Sequence, residues 1–259
     1  HLLYLKKLRT QKIAVHATQI GVLIFFLGLW ELAAHLNWID SFIMSCPSRI
    51  WATLIEISAG GTLWYHAGVS TLETLAGFAI GTALGYVIAV ILWWNNFLKD
   101  VFEPYVVVLN SLPKIALGPI IIIWAGTGKA AIITMAVLIS VVITTITMLN
   151  GFAETDREKA LLLRSMGANR FQIFVKLVAP ANVPTLMAML KINVGMSWIG
   201  TIMGEYLASK EGLGYLLVYG SQVFRLDLVM TCTIVLCALA GIMYGLVSIL
   251  EKVVVKNFR

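Results

Sequence analysis

The residues whose types and spacing bear on chemistry in this sequence are charges set in an otherwise apolar chain. Between Thr155 and Val178, Asp156, Arg157, Glu158, Lys159, Arg164, Arg170 and Lys176 are interleaved with Leu161, Leu162, Met166, Phe171 and Phe174. That pattern predicts two short amphipathic helices separated by a break at Gly167. Asp156 and Glu158 fall in the first turn, where they complement the helix dipole, and Gly167 ends the first helix with a residue at positive φ. On pattern alone such an island is either a docking element or an ordinary interfacial helix between two spans.

Two lysines stand inside segments apolar enough to cross a bilayer. A lysine near a helix centre costs about 2.5–3.5 kcal/mol on insertion scales, so it must face a cavity, pair with a carboxylate or reach the interface. Lys114 lies between Pro113 and Pro119. Each proline removes a backbone donor and leaves carbonyls for neighbours, water or a passing solute to satisfy. Lys114 is therefore the candidate for contact with an anionic or polar solute. The broken helix around it is either part of a translocation path or a packing kink. Lys191 is expected to be paired or to reach towards the interface. Glu73 and Glu205 fall near the outer ends of their segments, placed to partner cations or to bond irregular backbone around Gly212-Leu213-Gly214.

Catalytic patterns fail on inspection. Gly126-Thr127-Gly128-Lys129 ends like a phosphate loop, yet Ile123 stands where the first glycine belongs, and Ala130 replaces the Ser or Thr that would hold magnesium. ATP hydrolysis is not expected of this chain. Gly195-Met196-Ser197-Trp198-Ile199 has Ile where a nucleophile elbow needs its second glycine. His1, His16, His35 and His66 lack metal-ligand spacing, and Cys46, Cys232 and Cys237 form neither a CxxC pair nor an even set. Neither catalysis nor a metal site is expected, and Cys232 and Cys237 read as small apolar residues.

The elements that carry these residues follow from composition. The chain is 59% hydrophobic and only 12% charged, with a mean hydropathy of +0.89; a soluble domain carries about a quarter of its residues as charges. Spanning a hydrocarbon core takes ~20 apolar residues of helix. Runs of that length occur near His16–Leu36, Ala67–Trp94, Val101–Trp124, Lys129–Gly151, Ala181–Leu207 and Leu228–Glu251, which predicts an all-α polytopic membrane protein with about six spans. No linker, low-complexity tract or repeat divides residues 1–259, so a single transmembrane domain is expected.

Basic residues set the expected orientation. Lys6, Lys7, Arg9, Lys12, Lys99, the island cations, Lys252, Lys256 and Arg259 fall on one face, and only Arg49, Lys129, Lys210 and Arg225 on the other. That asymmetry places both termini and the island in the cytoplasm. The net charge of +6 is then a topology signal rather than a nucleic-acid footprint. The first apolar stretch is too long for a cleaved signal peptide, and His1 in place of Met reads as a missing or non-native start. Between the first two spans, Pro47–Glu56 is expected to form a surface helix capped by Ser45, with Trp51 at headgroup depth. Gly77, Gly81 and Gly85 recur at every fourth position, and Gly200/Gly204 and Gly241/Gly245 repeat the spacing, so all three sets are expected at close helix contacts.

Glu158-Lys159-Ala160, then Gly167, Ile173 and Pro180 before the next span, resembles the EAA loop of permease subunits of bacterial ABC importers. Around it stand Ser70-Thr71-Leu72 with Gly77-Phe78 and Gly81, Ser111-Leu112-Pro113-Lys114 through Pro119, Trp124-Ala125-Gly126-Thr127-Gly128, Gly195-Met196-Ser197-Trp198, Gly204-Glu205 and Gly212-Leu213-Gly214. The set is similar to the nitrate, sulfonate, taurine, bicarbonate and pyrimidine-precursor branch of binding-protein-dependent permeases, over roughly residues 45–251. Glu73 departs from that branch, where a basic residue is expected.

The resemblance implies a type I importer permease with a cytoplasmic coupling loop at about residues 152–179. Glu158, Ala160, Arg164, Gly167 and Ala168 would couple to the ATPase. Lys114, Ser111, Pro113, Ser197 and Trp198 are candidates for the translocation path, and Gly77, Gly81 and Gly85 for helix packing. It further implies a bacterial inner-membrane location, a second permease copy forming a homodimer, separate ATPase subunits that bind ATP and Mg, and an extracytoplasmic solute-binding protein. No cofactor is expected in this chain. The alternatives are a secondary transporter, which needs no ATPase, and a membrane-embedded redox or enzyme subunit, which needs paired His ligands or a carboxylate cluster.

Overall fold

The computed structural model describes residues 2–257; His1 and Arg259, the latter counted in the basic asymmetry, lie outside the described residues. Every regular element among the described residues is helical. The first half contains α1 (Leu2–His35), α2 (Ser41–Met44), α3 (Pro47–Ala59), α4 (Thr62–Trp94), α5 (Asn96–Ser111), a 3₁₀ turn at Lys114–Leu117, α6 (Gly118–Ala125) and α7 (Lys129–Ala153). The second half contains α8 (Arg157–Ser165), α9 (Arg170–Ile173), a π-helical turn at Phe174–Val178, α10 (Ala179–Ala181), α11 (Val183–Ala208), α12 (Leu213–Gln222) and α13 (Leu226–Asn257).

Five helices among the described residues are long and apolar enough to cross a membrane: α1 from Ala17, α4, α7, α11 and α13. The expected span Val101–Trp124 is not one helix. Leu112 is extended (φ −68°, ψ 139°) because the residue before a proline is pushed out of the α region, and α5 stops there. Asn95 separates α4 from α5 in the same way that a cap does, its side chain accepting from Phe97 N at 3.0 Å and Leu98 N at 3.3 Å. Between them α5, the 3₁₀ turn and α6 run from the end of α4 back towards the start of α7.

Helix α7 is the centre of the bundle. A Cβ built on Gly77 would strike the Ala136 side chain, and one on Gly81 or Gly85 would lie 2.6 Å from the Cβ of Ser140 or Thr144. From the other side, Gly200 and Gly204 of α11 bring α7 backbone within 2.6 Å and 2.8 Å of their would-be Cβ atoms, at Ala136 and Ile132. Between lipid-solvated helices burial supplies little drive, so backbone approach and polar contacts hold them. Ser140 and Ser197 hydroxyls lie 2.9 Å apart, and Asn193 donates to Thr144 Oγ1 at 2.6 Å and to Thr82 Oγ1 at 3.1 Å. The third glycine pair does not behave this way: Gly241 and Gly245 have nothing within 4 Å of a built Cβ, because α13 turns that face away from its neighbours in this chain.

The bundle has two distinct ends. At one, Leu92, Met148, Phe152, Ile173 and Met189 pack together, joining the end of α4, the end of α7 and the island helices. At the other, Leu63, Ala67, Leu213, Leu216 and Leu228 join α4, α12 and the start of α13. Lys191, expected to be paired or interfacial, forms an ion pair with Glu251 at 2.8 Å. The end of α13 and the charged island thus share one end of the bundle.

Two details of the surface helix differ from expectation. Helix α3 forms with Pro47 at its first position, but Cys46 occupies the cap without a side-chain bond. Ser45 is instead buried and donates to Asp227 Oδ1 at 2.7 Å, which ties the helix to α13. Trp51 is exposed.

Candidate functional site

The charged island folds as the expected pair of short helices. Asp156 stands at the cap rather than in the first turn of α8, its Oδ1 accepting from Glu158 N at 2.9 Å and Lys159 N at 3.3 Å. The Lys159 N–H in particular holds the Asp156 carboxyl below its ordinary range. A lowered folded-state value means the cap stands at neutral pH and is lost only as the pH falls through that value. Gly167 has φ +87°, and Asn169 with Gln172 forms a capping box that starts α9. The π-helical turn then absorbs the loss of the Pro180 donor.

The two helices have opposite faces. Ala160, Leu163 and Ala168 pack against the bundle end. Leu161, Leu162 and Met166 point away from it, Phe171 meets only the rim of the bundle end at the Trp94 ring, 6.4 Å away, and all four are 61–75% exposed. Ala160 thus supplies close approach, and the apolar side chains beside it are left uncovered.

The path candidates divide. Ser111 and Pro113 are exposed at the break, Ser111 bonding back to Val107 O at 3.1 Å. Lys114 donates to Asn110 O and Oδ1 at 3.2 and 3.3 Å, so its ammonium satisfies the last turn of α5 and meets no carboxylate among the described residues. It borders a small void of about 90 Å³ lined by leucines, isoleucines and Met135. Ser197 and Trp198 are not on an accessible surface: Ser197 is fully buried against Ser140, and Trp198 packs with Val194 and Met243. Their face of α11 is turned into the bundle by the same register that places Gly200 and Gly204 on α7.

At the opposite end Glu205 organises the Gly212–Gly214 turn. Its Oε1 accepts from Ser70 Oγ at 2.5 Å and its Oε2 from Gly214 N at 2.6 Å. Ser70 Oγ accepts from Leu213 N at 2.7 Å, and His66 Nδ1 from Gly212 N at 2.9 Å. Gly212, at φ +96°, has no room for a Cβ beside the Glu205 carboxyl. Glu73 does not bond this turn. Its Oε2 is buried without a partner, and it edges a recess with Lys129 and Glu211.

Residues 81–258 match the binding-protein-dependent transport system inner membrane component family. The chain belongs to that family. Relatives of this inner membrane component include a probable ABC transporter permease protein of Haemophilus influenzae, 27% identical over 87% of this chain and 90% of that one. The formylaminopyrimidine transport permease protein ThiX of Halalkalibacterium halodurans is 30% identical over 74% of this chain and 77% of its own. The aliphatic sulfonates permease SsuC of Escherichia coli is described as putative and is 26% identical over 83% of this chain and 81% of its own. In fold, the permease is similar to a chain of the MetNI methionine ABC transporter (TM-score 0.61, 21% identity, 76% of this chain and 97% of that one). A bacterial ABC transporter that imports alginate gives TM-score 0.63 at 11% identity, over 94% of this chain and 96% of that one.

Sequence reasoning missed His66, Ser140, Thr144 and Asn193 in this permease. A hydroxyl or amide on an apolar helix gives no sign of which helix it meets. Ser70 stood in the resemblance, without the role that Leu213 N and Glu205 give it.

Proposed function

We propose that this permease is one half of the membrane path of an ABC importer that moves a small solute inward, an anion such as a sulfonate, nitrate or bicarbonate, or a small heterocycle. Two copies form the path, separate ATPase subunits bind ATP and Mg and dock on the island, and a solute-binding protein delivers substrate to the other face. The observation that carries the reading is the braced hairpin: α8 and α9 fix one face on the bundle and leave Leu161, Leu162, Met166 and Phe171 uncovered. Glu158, Ala160, Arg164, Gly167 and Ala168 are the coupling residues. Closure of the ATPases then pulls on α8, and the core at that end transmits the movement to α4, α7 and α11.

Gly167→Val tests the docking role. No neighbour lies within 4 Å of a Cβ there, so the substitution strains only the positive-φ backbone, by about 1–2 kcal/mol. The expected result is a permease that inserts and melts near the wild-type temperature but no longer retains its ATPase. Wild-type co-purification and substrate-stimulated hydrolysis would remove the assignment.

Orientation is tested by thiol labelling. Cys46 is buried and a poor reporter, so single cysteines at the exposed positions Lys210 and Lys176 serve in a cysteine-free background. With both termini and the island in the cytoplasm, an impermeant reagent on intact cells labels Lys210→Cys and spares Lys176→Cys until the membrane is opened. The reverse pattern inverts the topology.

A further inference from the structure

A cleft of about 490 Å³ lies between α8 and the bundle, where α4 turns into α5. That volume falls in the range of about 300–1,000 Å³ usual for small-molecule sites. Lys99, Arg157, Arg164 and Arg170 line it, against the single carboxylate of Asp100. The excess of cations follows from register. Arg157 and Arg164 are seven residues apart on α8, so they stand nearly one above the other, and Ala160 on the same side leaves the space that a larger residue would fill.

The cations are unequally engaged. Arg170 donates to Trp93 O at 3.1 Å and Asn96 Oδ1 at 3.3 Å, and lies over the Trp93 ring at 5.5 Å. It is a structural tie. Lys99 has only a 3.9 Å pairing with Glu103. Arg157 and Arg164 have no ion pair among the described residues. Like charges gathered in a recess repel, and an anion between them turns that repulsion into attraction. Trp93 in the cleft, with Trp94 and Phe97 exposed nearby, marks interfacial depth, within reach of a headgroup.

We propose that this cleft binds a phosphate group, supplied by an anionic lipid headgroup or by the free anion, and that the bound phosphate fastens the inner face of α8 to the bundle. The site goes beyond the docking role, which rests on the uncovered apolar side chains of α8 and α9, although Ala160 and Arg164 of the coupling set also line this cleft. Basic clefts at a membrane surface recognise headgroups through such clusters, each cation contributing about fivefold in affinity.

The test uses the full-length permease, alone and with its ATPase partners, in nanodiscs of phosphatidylcholine with rising fractions of phosphatidylglycerol. Retained phosphatidylglycerol is read by native mass spectrometry and stability by melting temperature. A nanodisc presents the same lipid on both sides, so the result is independent of the orientation proposed above, and loss of ATPase docking shows separately as loss of co-purification. The wild type is expected to retain phosphatidylglycerol and to melt higher as its fraction rises. Arg157→Gln with Arg164→Gln is expected to bind about 30-fold more weakly and to lose the gain, while Lys176→Gln, on the same end but outside the cleft, behaves as wild type. Titrating inorganic phosphate into phosphatidylcholine discs separates the sources: a response to phosphate that the double variant loses assigns the free anion, and a response to lipid alone assigns the headgroup. The proposal is overturned if the wild type responds to neither, or if the double variant keeps the response. It is equally overturned if the response vanishes whenever the ATPase is bound, since an acidic side chain of the partner then fills the cleft.

Discussion

Glu205→Ala is expected to lower the stability of the permease by about 2–6 kcal/mol, the sum of two buried polar groups left unpaired at about 1–3 kcal/mol each. The first donors of a helix have no partner inside it, and α12 starts in the interior, where water does not replace them. Its donors are collected instead by side chains from two other helices: Gly212 N by His66, Leu213 N by Ser70, and Gly214 N by Glu205. Glu205 is 1% exposed and also holds the Ser70 hydroxyl. Alanine therefore orphans Gly214 N directly and removes the acceptor that orients Ser70. Glu205→Gln is expected to cost less than half as much. The amide oxygen still accepts from Gly214 N and the amide N–H donates to Ser70 Oγ, so only the Ser70 hydroxyl proton loses its acceptor. Melting temperature and hydrogen exchange over residues 209–216 measure both changes. An alanine variant as stable and as protected as wild type would show that the carboxyl does not hold the turn.

The charged island was legible in the sequence because its signals are local. A break at Gly167 and the setting of Leu161 and Leu162 among charges each act within one or two turns, and each appears in the structure; Asp156, expected in the first turn, caps α8 instead. The broken crossing at Pro113 was legible for the same reason, since the proline itself disfavours helix at Leu112. What failed was long-range. Apolar residues on a spanning helix serve lipid and neighbour alike, so periodicity does not tell which face of α11 carries Ser197 and Trp198 inward. Gly241 and Gly245 have the spacing of Gly200 and Gly204, yet only the latter meet another backbone. Ser45 looked like a cap because it precedes a helix, but Asp227, 182 residues away, captures its hydroxyl.

The glycines of α11 give the second large effect. Gly200→Ala is expected to destabilise by about 3 kcal/mol, at the top of the usual range for overpacking. The new Cβ would lie 2.6 Å from Ala136 Cα, 3.0 Å from Ala136 N and 3.2 Å from Met135 O. All three are backbone atoms of α7, so no rotamer change relieves the contact. Nor is α7 free to retreat, because Gly77 of α4 presses on Ala136 from another side and Gly81 and Gly85 extend that contact along the helix. Gly195, five residues earlier on α11, has nothing within 4 Å of its built Cβ. Gly195→Ala should therefore gain about 0.5–1 kcal/mol, the ordinary cost of glycine in a helix. The pair of single substitutions, compared by melting temperature in one detergent, separates helix propensity from packing: opposite signs follow from the contact at Ala136, and equal shifts would mean that α11 does not sit on α7 as closely as its glycines allow.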